Sequence, residues 1–480
     1  MEDSRATGVF NLDCCGGDLQ GVTEKLDYLK SLGVDVIWLT PIFKARSNHR
    51  YDTEDYHAVD PSLGGDGAFA ALSAAAKARG LHLILDGVFN HTSSDSRYFD
   101  RYGRFAELGA CESPSSPFRS WYEITGSEVP CRNYSGFANL DSLPTLNDAN
   151  AAVRDFVYRG ADSVVRHWST RGADGWRLDV AHELSHPWWR DFRNAVKGYA
   201  ADAPLIGEVT ASPVDATEYL VGDELDGVMN YRYRHAANGF VRLTNWTDSS
   251  SVLRALRPSQ VANSFKAILE DYPAQAAAVS FNLVDSHDTN RVLDVLTEPG
   301  DNLTVAKQRQ RLVALLQFTS FGAPMVYYGD EAGIDAPGRS GFGDPYNRAP
   351  YPWDDESGDV NTYGPAERFM IDWYSTLATL RQTLPALRIG SVVTLLTGDT
   401  TSSSADNGVY AFGRVGAPNK PVIVALNKNE QAASARIPVG GLYPNGTTLE
   451  AAFDCSVAQV TGGAVEVRVP PIGGTVLVGR

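Results

Sequence analysis

Seven short runs rich in apolar, strand-forming residues recur along the chain, with helical patterns between them. The runs cover residues 34–43, 81–89, 175–180, 205–209, 225–231, 279–284 and 324–328. Runs that are apolar throughout predict strands buried on both faces, and their alternation with helices predicts parallel βα units. A doubly wound sheet of this width is less common, so the pattern favours an α/β fold, an eight-stranded (β/α)8 TIM barrel. Its first strand would fall at 8–12 (GVFNL), which is so short that this strand is expected to be reduced or missing.

Helical periodicity is clearest in four stretches, at 22–32, 69–79, 153–170 and 308–321. Three of them are followed by a glycine, the residue that commonly ends a helix. In the stretch 153–170 the apolar residues recur at steps of three and four, which predicts a helix with one buried face.

Two segments interrupt this alternation and predict additional domains. A chain of 480 residues, at roughly 150 per domain, is long enough for about three domains or for one large barrel with appendages. We expect the barrel at 1–91 and 149–387, with an inserted loop domain after the third strand at 92–148. Short β-rich runs between turn signals predict a C-terminal antiparallel β-sandwich at 388–480.

Charge and composition exclude several classes of partner. The formal net charge of −16 repels phosphate, so neither nucleic acid nor an anionic membrane is an expected partner. No apolar window is long enough to span a bilayer.

The five cysteines are an odd number, which favours a reducing compartment, although Cys111 and Cys131 could form a bridge. Since the segment MEDSRATGVF has no basic region before an apolar run, a cytoplasmic location is expected, or secretion if a signal peptide was removed.

Ionisable residues stand at the ends of the predicted strands. Because the carboxyl ends of barrel strands share one face, residues there converge regardless of their separation in sequence. These residues are Asp86, Asn90, His91, Arg177, Asp179, Glu208, His287 and Asp288. Any one of them could equally be a helix cap or part of a buried ion pair. Together they supply the paired carboxylates that glycoside hydrolysis needs.

The spacing of Arg177 and Asp179 suggests how two carboxylates could differ in role. Two residues apart on one strand, both side chains point the same way. A guanidinium beside a carboxylate lowers its pKa, which would keep Asp179 ionised as a nucleophile. Glu208, if it lacks such a partner and is partly desolvated, would hold its proton and act as an acid.

Four ordered segments resemble the signature regions of glycoside hydrolase family 13, the α-amylase family. They are DGVFNH (86–91), GWRLDVAHE (175–183), GEV (207–209) and NLVDSHDTNR (282–291), and the resemblance extends over residues 16–353. The stretches LPTLN (143–147) and LVDSHDT are similar to the neopullulanase and cyclomaltodextrinase branch. That branch usually carries an extra N-terminal β-domain that helps to build a dimer, so the oligomeric state stays open and a more open cleft is expected here.

The resemblance implies a role for each matching residue. Asp179 would be the nucleophile, Glu208 the general acid/base and Asp288 the residue that stabilises the oxocarbenium-like transition state, while Arg177 would hold Asp179. Further substrate contacts are implied for Tyr51, His91, His182, Glu183, His287, Asp344 and Arg348. His182 departs from the asparagine expected at its position in this branch, which leaves acceptor specificity open.

Two sets of residues in the sequence could hold a metal ion. The segment 182–186 matches the H-E-x-x-H zinc pattern with Glu208 downstream, but Pro187 disfavours helical geometry at His186. Many relatives bind calcium beside the inserted domain, where Asn90 with Asp141 or Asp148 could supply oxygen ligands. No cofactor is otherwise required.

The resemblance therefore implies a retaining α-glucan hydrolase that acts on starch-derived oligosaccharides, cyclodextrins or pullulan. An α-glucosidase or a transglycosylase would use the same residues. A catalytically silent carbohydrate-binding or scaffold protein of the same fold is the alternative of another class, and the intact set of Asp179, Glu208 and Asp288 argues against it.

Overall fold

The computed structural model describes residues 16–210, 213–247, 252–334, 346–351, 353, 368–400, 408–416 and 419–480. The chain divides into two compact units at Met229 and Asn230. The domain boundaries predicted from the sequence stay predictions, and the segment 8–12 lies outside the described residues. Within the described part of the chain, no helix is both long enough and apolar enough to cross a membrane.

The first unit is built on a parallel sheet whose strands follow one another in chain order. The strands are Val36–Trp38, His82–Gly87, Gly175–Leu178, Leu205–Gly207 and Gly227–Val228. All five lie within predicted runs, which confirms those predictions. The three central strands are almost wholly buried, as expected of strands covered on both faces.

Helices and short antiparallel ladders complete the first unit. The α-helices are Leu19–Glu24, Leu26–Leu32, Gly65–Ala78, Ala151–Arg154, Val164–Ser169, His186–Tyr199 and Pro213–Glu218. Strands Phe43–Ala45 and Thr53–Val59 pair with each other, as do Ile124–Thr125 and Asn133–Tyr134. Gly33 ends the second helix in the left-handed conformation that a glycine adopts without steric cost.

The continuous helix predicted at 153–170 is wrong. The α-helix Ala151–Arg154 runs into a π-turn, Asp155–Arg159, which closes when the Gly160 N–H donates to the Asp155 carbonyl. Gly160 is extended, and a new helix, Val164–Ser169, begins after Ser163. The apolar residues keep a helical spacing across this break because those on both sides of it face the same core.

The predicted inserted segment, 92–148, is mostly irregular. A disulfide joins Cys111 to Cys131, as the sequence allowed. Both cysteines are buried, and isolated bridges join His91 to Thr145 and Tyr122 to Leu146. The bridge to His91 ties the segment to the end of the strand His82–Gly87, and the bridge between Tyr122 and Leu146 lies within the segment.

The second unit contains the other two predicted strands, Phe281–Leu283 and Ala323–Met325, which pair in parallel. Its α-helices are Tyr231–Val241, Pro258–Asp271, Ala274–Val279, Val292–Leu296, Leu303–Thr319, Arg368–Thr383 and Pro385–Ile389. Strands Trp246–Thr247 and Val252–Leu253 form a small antiparallel ladder.

The C-terminal part is antiparallel, as predicted. A six-stranded sheet has the order Ser391–Thr397, Val409–Gly416, Asn419–Asn427, Gly473–Gly479, Thr448–Ala451 and Val457–Gln459. A separate pair is formed by Ala433–Pro438 and Ala464–Val469. Alternate apolar residues of both sheets, among them Ile423, Ile437 and Val465, form one buried core.

Two buried arginines bind the end of the helix Leu303–Thr319, Arg414 from this sheet and Arg381 from the helix Arg368–Thr383. Arg414 donates to the carbonyls of Thr319, Ser320 and Gly390, and Arg381 donates to those of Phe318 and Ser320. Burial lowers the pKa of Arg414 to about 9 and that of Arg381 to about 10. Carbonyl oxygens at a helix C-terminus thus solvate both cations.

Candidate active site

The carboxyl ends of three adjacent strands bring four ionisable side chains together in the first unit. Asp86 is in register with Arg177 on the neighbouring strand, and Arg177 with Ile206 on the next. Asp179 and Glu208 directly follow their strands. All four side chains are buried, which is rare for charged residues unless they pair.

Arg177 is the centre of this cluster. Its Nη1 donates to Asp86 Oδ1 at 2.9 Å and Oδ2 at 3.1 Å, and to Asp179 Oδ1 at 2.8 Å. Its Nη2 lies 2.9 Å from Glu208 Oε2 but is not aligned for a hydrogen bond, so this contact is an ion pair by distance. Three carboxyl groups therefore share one guanidinium, and full ionisation would leave two negative charges uncompensated.

The backbone turn after Asp179 fixes Glu208. Val180 has φ 37° and ψ 48°, a left-handed conformation that a β-branched residue adopts only at a cost of about 1–3 kcal/mol. In this conformation the Val180 N–H donates to Glu208 Oε2 at 3.1 Å, and the Ala181 N–H donates to the Glu208 carbonyl at 2.9 Å. The strained turn thus ties the backbone beside one carboxylate to the other.

The pKa of Asp179 is raised well above its usual range. Burial is the main cause; Arg177 opposes it, and the neighbouring Glu208 and Asp86 reinforce it. This is contrary to the expectation that Arg177 would hold that pKa low. The expected acid role of Glu208 assumed that it lacks a cationic partner, but Glu208 lies beside Arg177. Asp179 therefore keeps its proton to a higher pH than an isolated aspartate does.

Tyr51 and His91 lie against this cluster. The Tyr51 hydroxyl donates to Asp86 Oδ2 at 3.1 Å, and its ring centroid is 5.9 Å from the Arg177 guanidinium carbon. His91 Nε2 lies 3.1 Å from the Tyr51 carbonyl and therefore carries the hydrogen, while Nδ1 faces the Asn90 amide at 3.3 Å. Burial lowers the pKa of His91 to about 4, so the ring is neutral. Both of its nitrogens are engaged by protein groups, and a sugar hydroxyl would have to replace one of them.

Two residues of this cluster were not among the substrate-site candidates. Asp86 is a strand-end carboxylate, and both of its oxygens accept from Arg177. Trp38 ends its strand with its ring 5.2 Å from the Arg177 guanidinium carbon. The signal for Asp86 was its position near the end of a predicted strand, whereas Trp38 lies in the middle of the predicted run 34–43 and carried no such signal.

A pocket of about 480 Å³ lies next to the segment that follows Asp179. His182, Glu183, Asn90, Asp148 and Tyr219 contribute to its wall, so two of the predicted substrate contacts, His182 and Glu183, share one cavity. Neither Asp179 nor Glu208 lines it.

The zinc interpretation of 182–186 fails on geometry. His182 lies in a 3-10 turn, Ala181–Glu183, whereas His186 begins the helix His186–Tyr199, so the two rings do not share a helix face. The His186 Nδ1 is already 2.9 Å from Glu224 Oε2. Within the described residues, no group of three or more histidine, cysteine or carboxylate side chains could hold a metal ion.

The candidate calcium ligands are engaged elsewhere. Asp141, with a side chain that is 72% exposed, lies 3.3 Å from Arg101 Nη1. Asp148 Oδ2 accepts from the Ser185 N–H at 2.8 Å. Both carboxylates thus have protein partners, and a calcium site with Asn90 stays a prediction.

In the second unit, three other predicted residues are neighbours. His287 Nε2 is 3.0 Å from Asp288 Oδ2, and Arg348 Nη2 is 3.4 Å from Asp288 Oδ1. The carbonyl of His287 accepts from Asn347 at 2.7 Å and from Arg348 Nε at 3.2 Å. His287 is buried, whereas the Asp288 side chain is 39% exposed. Asp344 lies outside the described residues.

A second carboxyl pair is buried a few residues from Asp288. Asp285 accepts from the Val292 N–H at 2.7 Å, and Arg291 Nη1 lies 3.7 Å from Asp330. Burial raises the pKa of Asp285, and burial together with Asp285 raises that of Asp330 well above its usual range. Asp330 therefore keeps its proton to a higher pH than an exposed aspartate does.

The family model for the alpha amylase catalytic domain matches residues 1–371. The chain belongs to the α-amylase family. It is 34% identical to an amylopullulanase of Thermoanaerobacter thermohydrosulfuricus over 98% of this chain and 32% of the relative. It is 35% identical to neopullulanase 2 of Thermoactinomyces vulgaris, over 89% of this chain and 65% of the relative. The chain thus spans about a third of the first of these relatives and just under two thirds of the second.

A solved structure of a cyclomaltodextrinase superposes on this α-amylase family chain with a TM-score of 0.80 at 30% identity, over 98% of this chain and 73% of that one. Family and structural likeness establish the fold class as a (β/α)8 barrel with a C-terminal β-sandwich. They also confirm the resemblance to the neopullulanase and cyclomaltodextrinase branch.

Proposed function

We propose that this protein is a retaining hydrolase of α-glucans. The observation that carries the proposal is the buried pairing of Asp179 and Glu208, at adjacent strand ends, with the single cation Arg177. Relatives named amylopullulanase and neopullulanase support a substrate class of starch-derived oligosaccharides, cyclodextrins or pullulan.

In the first step, Asp179 attacks the anomeric carbon while the glycosidic bond breaks. Arg177 binds Oδ1 of Asp179, which leaves Oδ2 as the attacking oxygen. Glu208 acts as the general acid of this step and passes its proton to the leaving oxygen. The products are a free sugar and a glycosyl ester of Asp179.

In the second step, Glu208 is ionised and removes a proton from water. The water oxygen bonds to the anomeric carbon, the ester bond to Asp179 breaks, and Glu208 ends protonated as it began. Two displacements at one carbon retain its configuration. On the family resemblance, Asp288 stabilises the charge that develops on the ring, with His91, His287 and Tyr51 as sugar contacts and Asp344 and Arg348 as further candidates.

These steps need no cofactor, since the chain supplies both proton and nucleophile. The test is a chromatographic product profile of purified protein with maltotriose, β-cyclodextrin, pullulan and starch, with and without EDTA. Release of maltose or panose in both conditions is the expected result. An inert protein on all four substrates would overturn the proposal, and activity lost with EDTA and restored by calcium would overturn the part concerning the cofactor.

Transfer to a sugar acceptor is the second candidate, favoured by the pocket that His182 and Glu183 line. A bound acceptor would replace water in the second step. Products longer than the substrate, at high maltotriose concentration, would reveal it.

We propose that the protein works in an oxidising compartment. The buried disulfide between Cys111 and Cys131 favours an oxidising compartment, against the expectation drawn from the odd cysteine count. Fractionation of the native host, followed by immunodetection, distinguishes the two locations.

A further inference from the structure

A second groove, in the second unit, has the chemical make-up of a sugar-binding surface. It encloses about 250 Å³, and Gln308, Arg311, Trp373, Phe453, Pro470 and Pro471 contribute to its lining. We call it the Trp373 groove. None of the candidate catalytic residues lines it.

Aromatic and proline rings form the apolar part of the groove. The rings of Trp373 and Phe453 are 5.0 Å apart at 46°, and both side chains are half-buried. Trp373 Nε1 donates to the Arg311 carbonyl at 3.0 Å, which fixes the indole. Such rings pack well against the C–H faces of a pyranose.

Arg311 supplies the polar part. Its guanidinium carbon lies 4.5 Å from the Trp373 ring centroid, and its Nε is buried with no hydrogen-bond partner. Among the residues that the structure describes, no carboxylate pairs with Arg311, and burial alone lowers its pKa. Arg309, two residues earlier, is different, since it pairs with Asp301 at 2.8 Å and Glu430 at 3.0 Å.

The half-buried guanidinium of Arg311 lies beside the aromatic rings, so the groove favours a ligand that brings acceptor oxygens together with an apolar face. A glucosyl unit has both. A polyanion is disfavoured because the protein carries a net charge of −16. The exposed amide of Gln308, one helical turn before Arg311 on the side toward the N-terminus, adds a further donor and acceptor.

We propose that the Trp373 groove is a second, non-catalytic binding site for an α-glucan chain. The choice of glucan rests on the proposed function, while the existence of the groove does not. Such a site would hold long substrates at the protein surface and raise the rate on polymers, and short oligosaccharides would gain nothing from it.

The test separates binding from hydrolysis. Variants Trp373→Ala and Arg311→Gln are placed in an Asp179→Asn background, and their retardation is measured by native electrophoresis in gels that contain soluble starch. We expect the apparent dissociation constant for starch to rise by roughly fivefold or more. Phe369→Ala is the matched control, because Phe369 lies one turn earlier on the same helix, is 46% exposed and does not line the groove.

In the active background, the ratio of kcat/KM on starch to kcat/KM on maltotriose should fall for the groove variants and not for Phe369→Ala. Unchanged retardation of both groove variants would overturn the proposal, as would displacement of the starch by inorganic phosphate at millimolar concentration. If Trp373→Ala unfolds, Arg311→Gln and Trp373→Phe decide the outcome. If starch retards the wild-type protein but is not hydrolysed by it, the proposed function is refuted, whereas the proposed binding site is not.

Discussion

Asp86 meets Arg177 through both carboxylate oxygens, at 2.9 and 3.1 Å, and neither side chain is exposed to solvent. Nη1 of the same guanidinium also binds Asp179, so Asp86 sets both the position and the charge environment of the proposed nucleophile. Replacing a buried member of such a network has consequences beyond the loss of one bond.

Asp179→Asn and Glu208→Gln should each lower kcat by a factor of roughly 10³ or more, because each removes a group that acts in the transition state. Both substitutions preserve side-chain volume, so the melting temperature should change little. Steady-state rates on maltotriose, with thermal unfolding as the folding control, check this. Near-normal kcat in either variant would refute the assigned roles.

Asp86→Asn should shift the acidic limb of the pH–rate profile to lower pH. The negative charge of Asp86 contributes to the raised pKa of Asp179, so its removal lets Asp179 ionise at lower pH. The measurement is kcat/KM from pH 4 to 8. Tyr51→Phe is the matched control, since it removes a hydrogen bond to Asp86 but leaves the charge in place. A limb that does not move for Asp86→Asn would show that Asp86 does not influence this ionisation.

Asp330→Asn should flatten the dependence of stability on pH. The folded state raises the pKa of Asp330, so the stability this group contributes is complete below its unfolded pKa of 3.8 and is lost as pH rises through the folded value. An asparagine imitates the protonated acid at every pH. We expect a melting temperature a few degrees above that of the wild type at pH 9, a smaller difference at pH 5, and little difference below pH 3.8. A parallel decline of both proteins would contradict the raised pKa of Asp330.

Reducing the disulfide should destabilise the segment that follows His91. Closing a loop between residues 20 apart contributes about 3 kcal/mol by the chain-entropy estimate. Limited proteolysis of Cys111→Ser/Cys131→Ser should cut within 92–148 faster than in the wild type. The control is Cys455→Ser, which removes an exposed free thiol. Equal cleavage rates would mean that packing alone holds the segment.

The sequence predicted the seven strands well because each is apolar and short, and the strand ends followed from them. Arg177 and Asp179 could be paired from their spacing, as two residues on one strand face the same way. The excess of carboxyl groups around Arg177 could not be predicted. It depends on Asp86 and Glu208, which are remote in sequence and approach Arg177 only when the strands align. The break at Gly160 was also hidden, because apolar periodicity reports which residues are buried and not whether the backbone between them is continuous.

Through Arg414, the C-terminal sheet stabilises the end of the neighbouring helix. The Arg414 guanidinium donates to the carbonyls of Thr319 and Ser320 at the end of Leu303–Thr319, and the Ser320 carbonyl also accepts from Arg381. A fragment cut before Ser391 would remove Arg414 and leave Arg381, at Ser320, as the remaining cation. Removal of the sheet would therefore destabilise the end of this helix. An exchange of this sheet between relatives would have to conserve a basic residue at this position, so that a single side chain limits which domains can be recombined.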